Sequence, residues 1–198
     1  MKLNLPNKLT VARIIATPVF VATMLINFPY HYLVSLILFI AASLTDMIDG
    51  KMARKYNLIT DFGKFLDPLA DKMLTTAAYL GFICMYAGNY TYCWQFTVIT
   101  FIVLFREFMV SSIRLVVVSS GGKVIAANMW GKLKTVSQMV TIIYILTAEI
   151  VKEFIHIVWL SGILDALTSV LLWITAALTV ISGAIYLWNG RDFVNPEK

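Results

Sequence analysis

Asp46, Asp49, Asp67 and Asp71 are the residues of this chain whose spacing points most directly to chemistry. Asp46 and Asp49 stand three apart, and Asp67 and Asp71 four apart. On helices, such spacings put each pair on one face. Each pair lies at the end of an apolar stretch, and a short polar connection joins the two. An antiparallel helix hairpin would therefore let the pairs converge. Four carboxylates in one pocket of low dielectric repel strongly unless cations neutralise them. Hard oxygen donors favour Mg²⁺, Mn²⁺ or Ca²⁺ over zinc, which prefers nitrogen and sulfur. Two divalent ions held by four aspartates suit phosphoryl chemistry. The plainer reading is a set of caps and loop residues in a polar connection. Asp67 before Pro68 looks like a helix cap with proline at the first position. A helix that starts near Thr60 or Asp61 instead encloses Pro68. Capping accounts for one aspartate, not for four on converging faces.

The elements that must position these residues are apolar. Of 198 residues, 60% are hydrophobic and 14% charged, with a mean hydropathy of +0.81. Soluble domains sit near half apolar and a quarter charged, so the departure is in the membrane direction. Six apolar stretches can be drawn, at about 11–28, 33–50, 66–87, 93–118, 135–152 and 163–188. Irregular backbone cannot face lipid, so each is expected to be helical. The breaks carry turn signals: Phe28-Pro29, Gly88-Asn89, Gly121-Gly122 and Ser161-Gly162. The expected fold is all-α: a polytopic membrane protein of six transmembrane helices, with a short N-terminal interfacial helix that Asn7 could cap. Residues 1–198 form one domain, since six spans use up the chain. Trp94, Trp159 and Trp188 fall near span ends, as an interfacial aromatic belt requires.

Charge sets the orientation. The second loop holds Lys51, Arg54, Lys55 and Lys64, and the fourth holds Lys123, Lys132 and Lys134. Lys2, Lys8, Arg191 and Lys198 lie at the termini, whereas the other three connections hold only Lys152. Both termini and the aspartates are therefore expected on the cytoplasmic side of the cell membrane. The net charge of +5 suits anionic headgroups or phosphorylated substrates. Nucleic acid is not an expected partner, because no basic and aromatic patch sits on a separate polar domain. The basic start followed by an apolar run resembles a signal peptide, but no small-residue cleavage pattern follows, so it reads as a retained span. Cys84 and Cys93 lack metal-ligand spacing and read as small apolar side chains.

Eight positions together resemble the motif of the CDP-alcohol phosphotransferases, D-x2-D-G-x2-A-R-x8-G-x3-D-x3-D. Asp46, Asp49, Gly50, Ala53, Arg54, Gly63, Asp67 and Asp71 meet it at every specified position. A chance match at one start site is on the order of 10⁻¹⁰ with equal residue frequencies. The resemblance implies that Asp46, Asp49, Asp67 and Asp71 bind a pair of divalent metals, Mg²⁺ or Mn²⁺. It also implies that Asp71 is the general base, taking the acceptor hydroxyl's proton as that oxygen attacks the β-phosphorus of a CDP-lipid and CMP leaves. It implies a homodimer as well. Gly50 and Gly63 would let the backbone approach the nucleotide, Ala53 is small for the same reason, and Arg54 can pair with the diphosphate. Thr60, Asp61 and Lys64 adjoin the pocket and are assigned nucleotide contact.

The acceptor is read from the fourth and fifth stretches. Arg106, Glu107 and Arg114 are costly in hydrocarbon unless paired or facing a polar cavity. Glu107 is expected either to orient Arg114 or to neutralise Arg106. With Lys132, Lys134 and Thr135, these arginines would form a basic pocket for a phosphorylated acceptor; a cationic headgroup would not call for one. Residues 6–10 with Arg13, and the region from Arg106 to Thr135, are similar to the bacterial phosphatidylglycerophosphate synthases of that family. The similarity implies CDP-diacylglycerol and glycerol 3-phosphate as substrates. Asn7 and Thr10 would contact the nucleotide, with capping an equal alternative for both. Two rival readings stay open: the same chemistry on inositol phosphate or phosphatidylglycerol, and a divalent-cation transporter. Against the transporter, sites of transport tend to lie near the bilayer midplane.

Overall fold

The computed structural model describes the backbone of residues 4–55, 60–119 and 129–191; inside its helices, the side chains at 47, 49–51, 53–55, 61, 64–65, 67–68, 71 and 118–119 lie outside the described residues. Six helices follow in order: α1 (Leu5–Leu25), α2 (His31–Lys55), α3 (Asp61–Met85), α4 (Tyr90–Ser119), α5 (Met129–Phe154) and α6 (Val158–Gly190). Each expected apolar stretch coincides with one of them. α1, α4, α5 and α6 are long and apolar enough to cross a membrane, and this is a multi-pass membrane protein. Among the described residues, α2 and α3 carry apolar runs over His31–Asp46 and Lys72–Met85. Their remaining turns carry the polar motif.

The helices pack as a ring in the spatial order α1, α2, α5, α6, α4, α3. Phe20, Phe39, Tyr79, Phe82, Phe96, Ile142, Ile145 and Leu172 fill its centre and are buried. Outward-facing positions are apolar too: Ile15 and Val19 on α1, Phe101, Phe105 and Phe108 on α4, and Ile174 and Val180 on α6. A soluble bundle would place polar residues there; lipid is the solvent that suits these. Hydroxyls fall inside instead, as with Thr141 and Thr175, whose oxygens are 3.0 Å apart between α5 and α6. Trp94, Trp159 and Trp188 are exposed near helix ends, as the belt requires.

Two expectations about the first helix are corrected. Among the described residues no separate helix precedes the first span, because Leu5–Leu25 is continuous. Its cap is Asn4 rather than Asn7: the Asn4 side chain accepts from Asn7 N at 3.1 Å. Pro6 falls in the first turn, where its missing N–H costs nothing, so the helix begins earlier than the apolar pattern does. For α3, Thr60 is the N-cap and Pro68 falls within the helix, which removes Asp67 from the capping role.

Candidate active site

Alternating direction along the chain brings the starts of α1, α3 and α5 to one end, with the ends of α2, α4 and α6. All eight motif positions are at that end, on the helical backbone of α2 or α3. Helical geometry therefore gives Asp46 and Asp49 one face of α2, and Asp67 and Asp71 one face of α3. Asp49, Gly50, Ala53, Arg54, Asp61, Lys64, Asp67 and Asp71 are placed by backbone alone; their side-chain roles fall outside the described residues.

Asp46 is described. Its Oδ1 accepts from Nη1 of Arg13, a buried residue of α1, while the aspartate side chain stays 37% exposed. One oxygen is thus tied from the α1 side without closing off the carboxylate. The carboxylate oxygens of Asp46 are hard donors, which suit Mg²⁺ or Mn²⁺ better than a soft metal. Arg13 was missed as a site residue. The signal was a polar stripe at helical spacing in an apolar run: Asn7, Thr10, Arg13 and Thr17 are all buried.

The starts of α1 and α3 meet beside this pair. Asn7 Nδ2 donates to Thr60 Oγ1 at 2.9 Å, and Thr60 Oγ1 accepts from Gly63 N at 3.0 Å. A Cβ on Gly63 would lie 2.8 Å from Asn7 Oδ1. The glycine is thus needed first for the approach of Asn7, a reason different from the one its motif position suggested. Thr10 Oγ1 donates to Pro6 O at 3.2 Å. Gly63→Ala is expected to lower stability by about 1–3 kcal/mol through this overlap. Thermal denaturation in detergent measures it, and the double variant Asn7→Ala/Gly63→Ala should lose clearly less than the two single losses added.

A second charged group occupies the seam of α3, α4 and α5. Glu107 on α4 pairs with Lys134, which is 5% exposed. Its other partners are Arg106 at 3.2 Å and Lys72 at 3.8 Å. Arg106 Nη2 also donates to Ser182 Oγ of α6 at 2.8 Å. A Cβ on Gly183 would lie 3.2 Å from Arg106 Cγ and from Met109 Cε, so the small residue on α6 serves packing within the chain. Lys72 Nζ donates to Ser111 Oγ at 2.5 Å. Lys72 and Ser182 were missed, since nothing in local spacing joins α3 or α6 to this seam.

The expected basic pocket is brought together only in part. Arg106 and Lys134 are joined, with Glu107 between them. Lys132 is exposed, and Thr135 Oγ1 donates to Gly131 O at 3.1 Å within α5. Arg114 is not joined to this group, and its side chain is exposed. It lies five residues from the end of α4, where a long cation reaches the headgroup layer without a buried partner. Glu107 pairs with Arg106 and not with Arg114. At the opposite end of the ring, Tyr86 OH donates to Glu149 at 2.5 Å, and Lys152 bridges Glu149 and Asp165. Cys84 and Cys93 are free thiols.

Comparison with known proteins bears on this arrangement. A model of the CDP-alcohol phosphatidyltransferase family matches residues 3–181. The CDP-diacylglycerol–glycerol-3-phosphate 3-phosphatidyltransferase of Bacillus subtilis is 40% identical over 195 residues, covering 92% of this chain and 93% of that protein. Its namesake from Rickettsia bellii is 37% identical over 187 residues, with coverage of 92% and 93%. A solved structure of Mycobacterium tuberculosis phosphatidylinositol phosphate synthase, with CDP-DAG bound, shares the fold. Its TM-score is 0.59 at 24% identity, over 93% of this chain and 85% of that one. From the family match along most of its length and these two relatives, the chain belongs to the CDP-alcohol phosphatidyltransferase family.

Proposed function

We propose that this enzyme transfers the phosphatidyl group of CDP-diacylglycerol to glycerol 3-phosphate, yielding phosphatidylglycerophosphate and CMP. One observation carries the reading: the complete eight-residue motif stands on α2 and α3 at one end of the ring, in a chain 37–40% identical to proteins named for that reaction. Asp46, Asp49, Asp67 and Asp71 are the residues that would hold two divalent ions. Bound there, such ions would offset the diphosphate charge and polarise the β-phosphorus. Asp71 accepts the proton of the acceptor hydroxyl, and that oxygen forms the new bond to the β-phosphorus. The bond from the β-phosphorus to the bridging oxygen breaks, and CMP departs. Arg54 pairs with the diphosphate, with Thr60, Asp61 and Lys64 beside it. Asn7 and Thr10 frame the nucleotide end. The acceptor phosphate is met by Arg106, Arg114, Lys132, Lys134 and Thr135, a basic group that favours a phosphorylated alcohol.

The same proposal sets all six helices across the bilayer as one domain, with the motif end and both termini cytoplasmic. The excess of Lys and Arg in the two loops at that end supports it. Two copies are expected to associate, and the exposed Phe101, Phe105 and Phe108 of α4 offer an apolar face.

The experiment is incubation of purified protein with CDP-diacylglycerol, Mg²⁺ and a panel of acceptors, scoring CMP. Glycerol 3-phosphate should release CMP at least tenfold faster than inositol phosphate or phosphatidylglycerol. A preference for either of those would reassign the acceptor while keeping the family chemistry. In the same assay, Arg114→Ala should raise KM for glycerol 3-phosphate and leave that for CDP-diacylglycerol little changed. The opposite pattern would remove Arg114 from the acceptor site.

A further inference from the structure

We propose that Arg13 is a positioning residue of the aspartate pairs, holding Asp46 by one oxygen so that its carboxylate is presented to a divalent cation in a fixed orientation. This role presupposes the reading of Asp46 as a metal ligand. Arg13 is only 3% exposed, on a helix apolar enough to span a membrane. A guanidinium at such a place is costly unless it is paired. Anchoring at the headgroups does not explain it, since an anchor needs access to the interface. One of its partners is Asp46, 33 residues away on α2.

The pair is asymmetric, and the asymmetry points to function. The Arg13 side chain is 1% exposed, whereas that of Asp46 is 37% exposed. The cation is sequestered while the carboxylate stays open, so the pair orients Asp46 without using it up. Electrostatics gives the device a purpose. Four like charges on α2 and α3 would drive the aspartates apart before any ion arrives. A guanidinium fixed in α1 opposes that motion at Asp46 and is itself held in a buried stripe. Thr17 Oγ1 donates to Arg13 O at 2.9 Å, and Asn7 and Thr10 continue the stripe toward α3. Carboxylates that bind metals are themselves hydrogen-bonded from outside, and losing such a partner typically weakens metal binding about 10–100-fold. Lysine at this position would keep the charge but not the planar fork.

The test is Mn²⁺ binding by the full chain in lipid nanodiscs, read from the electron paramagnetic resonance signal of free Mn²⁺. Arg13→Gln should weaken Mn²⁺ binding by at least about tenfold, and Arg13→Lys by less. Adding Arg13→Gln to Asp46→Asn should lower affinity by less than the two single losses combined, because part of each effect runs through the same carboxylate. A folded Arg13→Gln protein that binds Mn²⁺ as tightly as the unmodified chain, or more tightly, overturns the role. Should Arg13→Gln not fold, Arg13→Lys decides: a clear loss of affinity supports the role, and unmodified affinity overturns it. Failure of the unmodified chain to bind Mn²⁺ would overturn the metal reading of the aspartates as well. Intact binding by the unmodified chain with no loss in the variants removes Arg13 alone.

Discussion

Asp71→Asn is expected to reduce CMP release by about 10²–10⁴-fold, the range over which a positioned general base accelerates proton transfer. The amide is nearly isosteric with the carboxylate but cannot accept the hydroxyl proton, and it carries no charge for a cation. Asp71 lies on the helical backbone of α3, four residues after Asp67 and on the same face. The fold should tolerate the change, since relieving one of four like charges on α2 and α3 removes repulsion. The variant is therefore expected to melt in detergent at or above the temperature of the unmodified protein while turning over CDP-diacylglycerol hardly at all. Near-normal CMP release by Asp71→Asn would take Asp71 out of the reaction.

Glu107→Gln has the largest expected effect on stability. Glu107 is the carboxylate on which Lys134, Arg106 and Lys72 converge, and Lys134 is buried. Breaking a buried ion pair by removing one partner costs up to about 3–5 kcal/mol, and Glu107 is shared by three cations. Replacing both partners with neutral residues avoids that penalty. Glu107→Gln should lower the melting temperature sharply, and Glu107→Gln/Lys134→Met should regain most of the loss. If Lys134 also meets the acceptor phosphate, the double variant is stable yet needs far more glycerol 3-phosphate to reach half its maximal rate. A single variant that melts with the unmodified protein would mean that the seam is not held by this pair.

The two predictions draw on different kinds of information. The placement of the aspartate pairs was legible because it lies in local spacing: three and four residues on helices give shared faces. The six elements were legible for the same reason, since apolar stretches bounded by turn residues leave lipid-exposed backbone no alternative to helix. Boundaries were less so, although a start of α3 at Thr60 or Asp61 was one of the two readings open there. α1 starts at Leu5 because Asn4 caps it and Pro6 suits a first turn, and α3 starts at Asp61 because Thr60 caps it. Neither start follows the hydrophobic pattern.

Pairings across the ring were the least legible. Arg13 with Asp46, Glu107 with Lys134, and Arg106 with Ser182 join residues 33, 27 and 76 positions apart. Which helices become neighbours decides these contacts, and hydropathy is silent on neighbours. Arg114 shows the same limit. A charged residue in an apolar stretch suggested a partner or a polar cavity, yet near the end of α4 the same residue is exposed. Depth along the helix, not hydropathy alone, governs what an arginine needs. The polar stripe of α1 was the one tertiary signal the sequence did carry.

The most direct test of the aspartate pairs is a crystal of the full chain grown with Mn²⁺ and CDP-diacylglycerol, measured at the manganese absorption edge. The account predicts anomalous density in contact with carboxylates from both helices, Asp46 or Asp49 on α2 and Asp67 or Asp71 on α3, beside the diphosphate of the lipid. Manganese bound elsewhere, or a diphosphate seated away from these four residues, would contradict it.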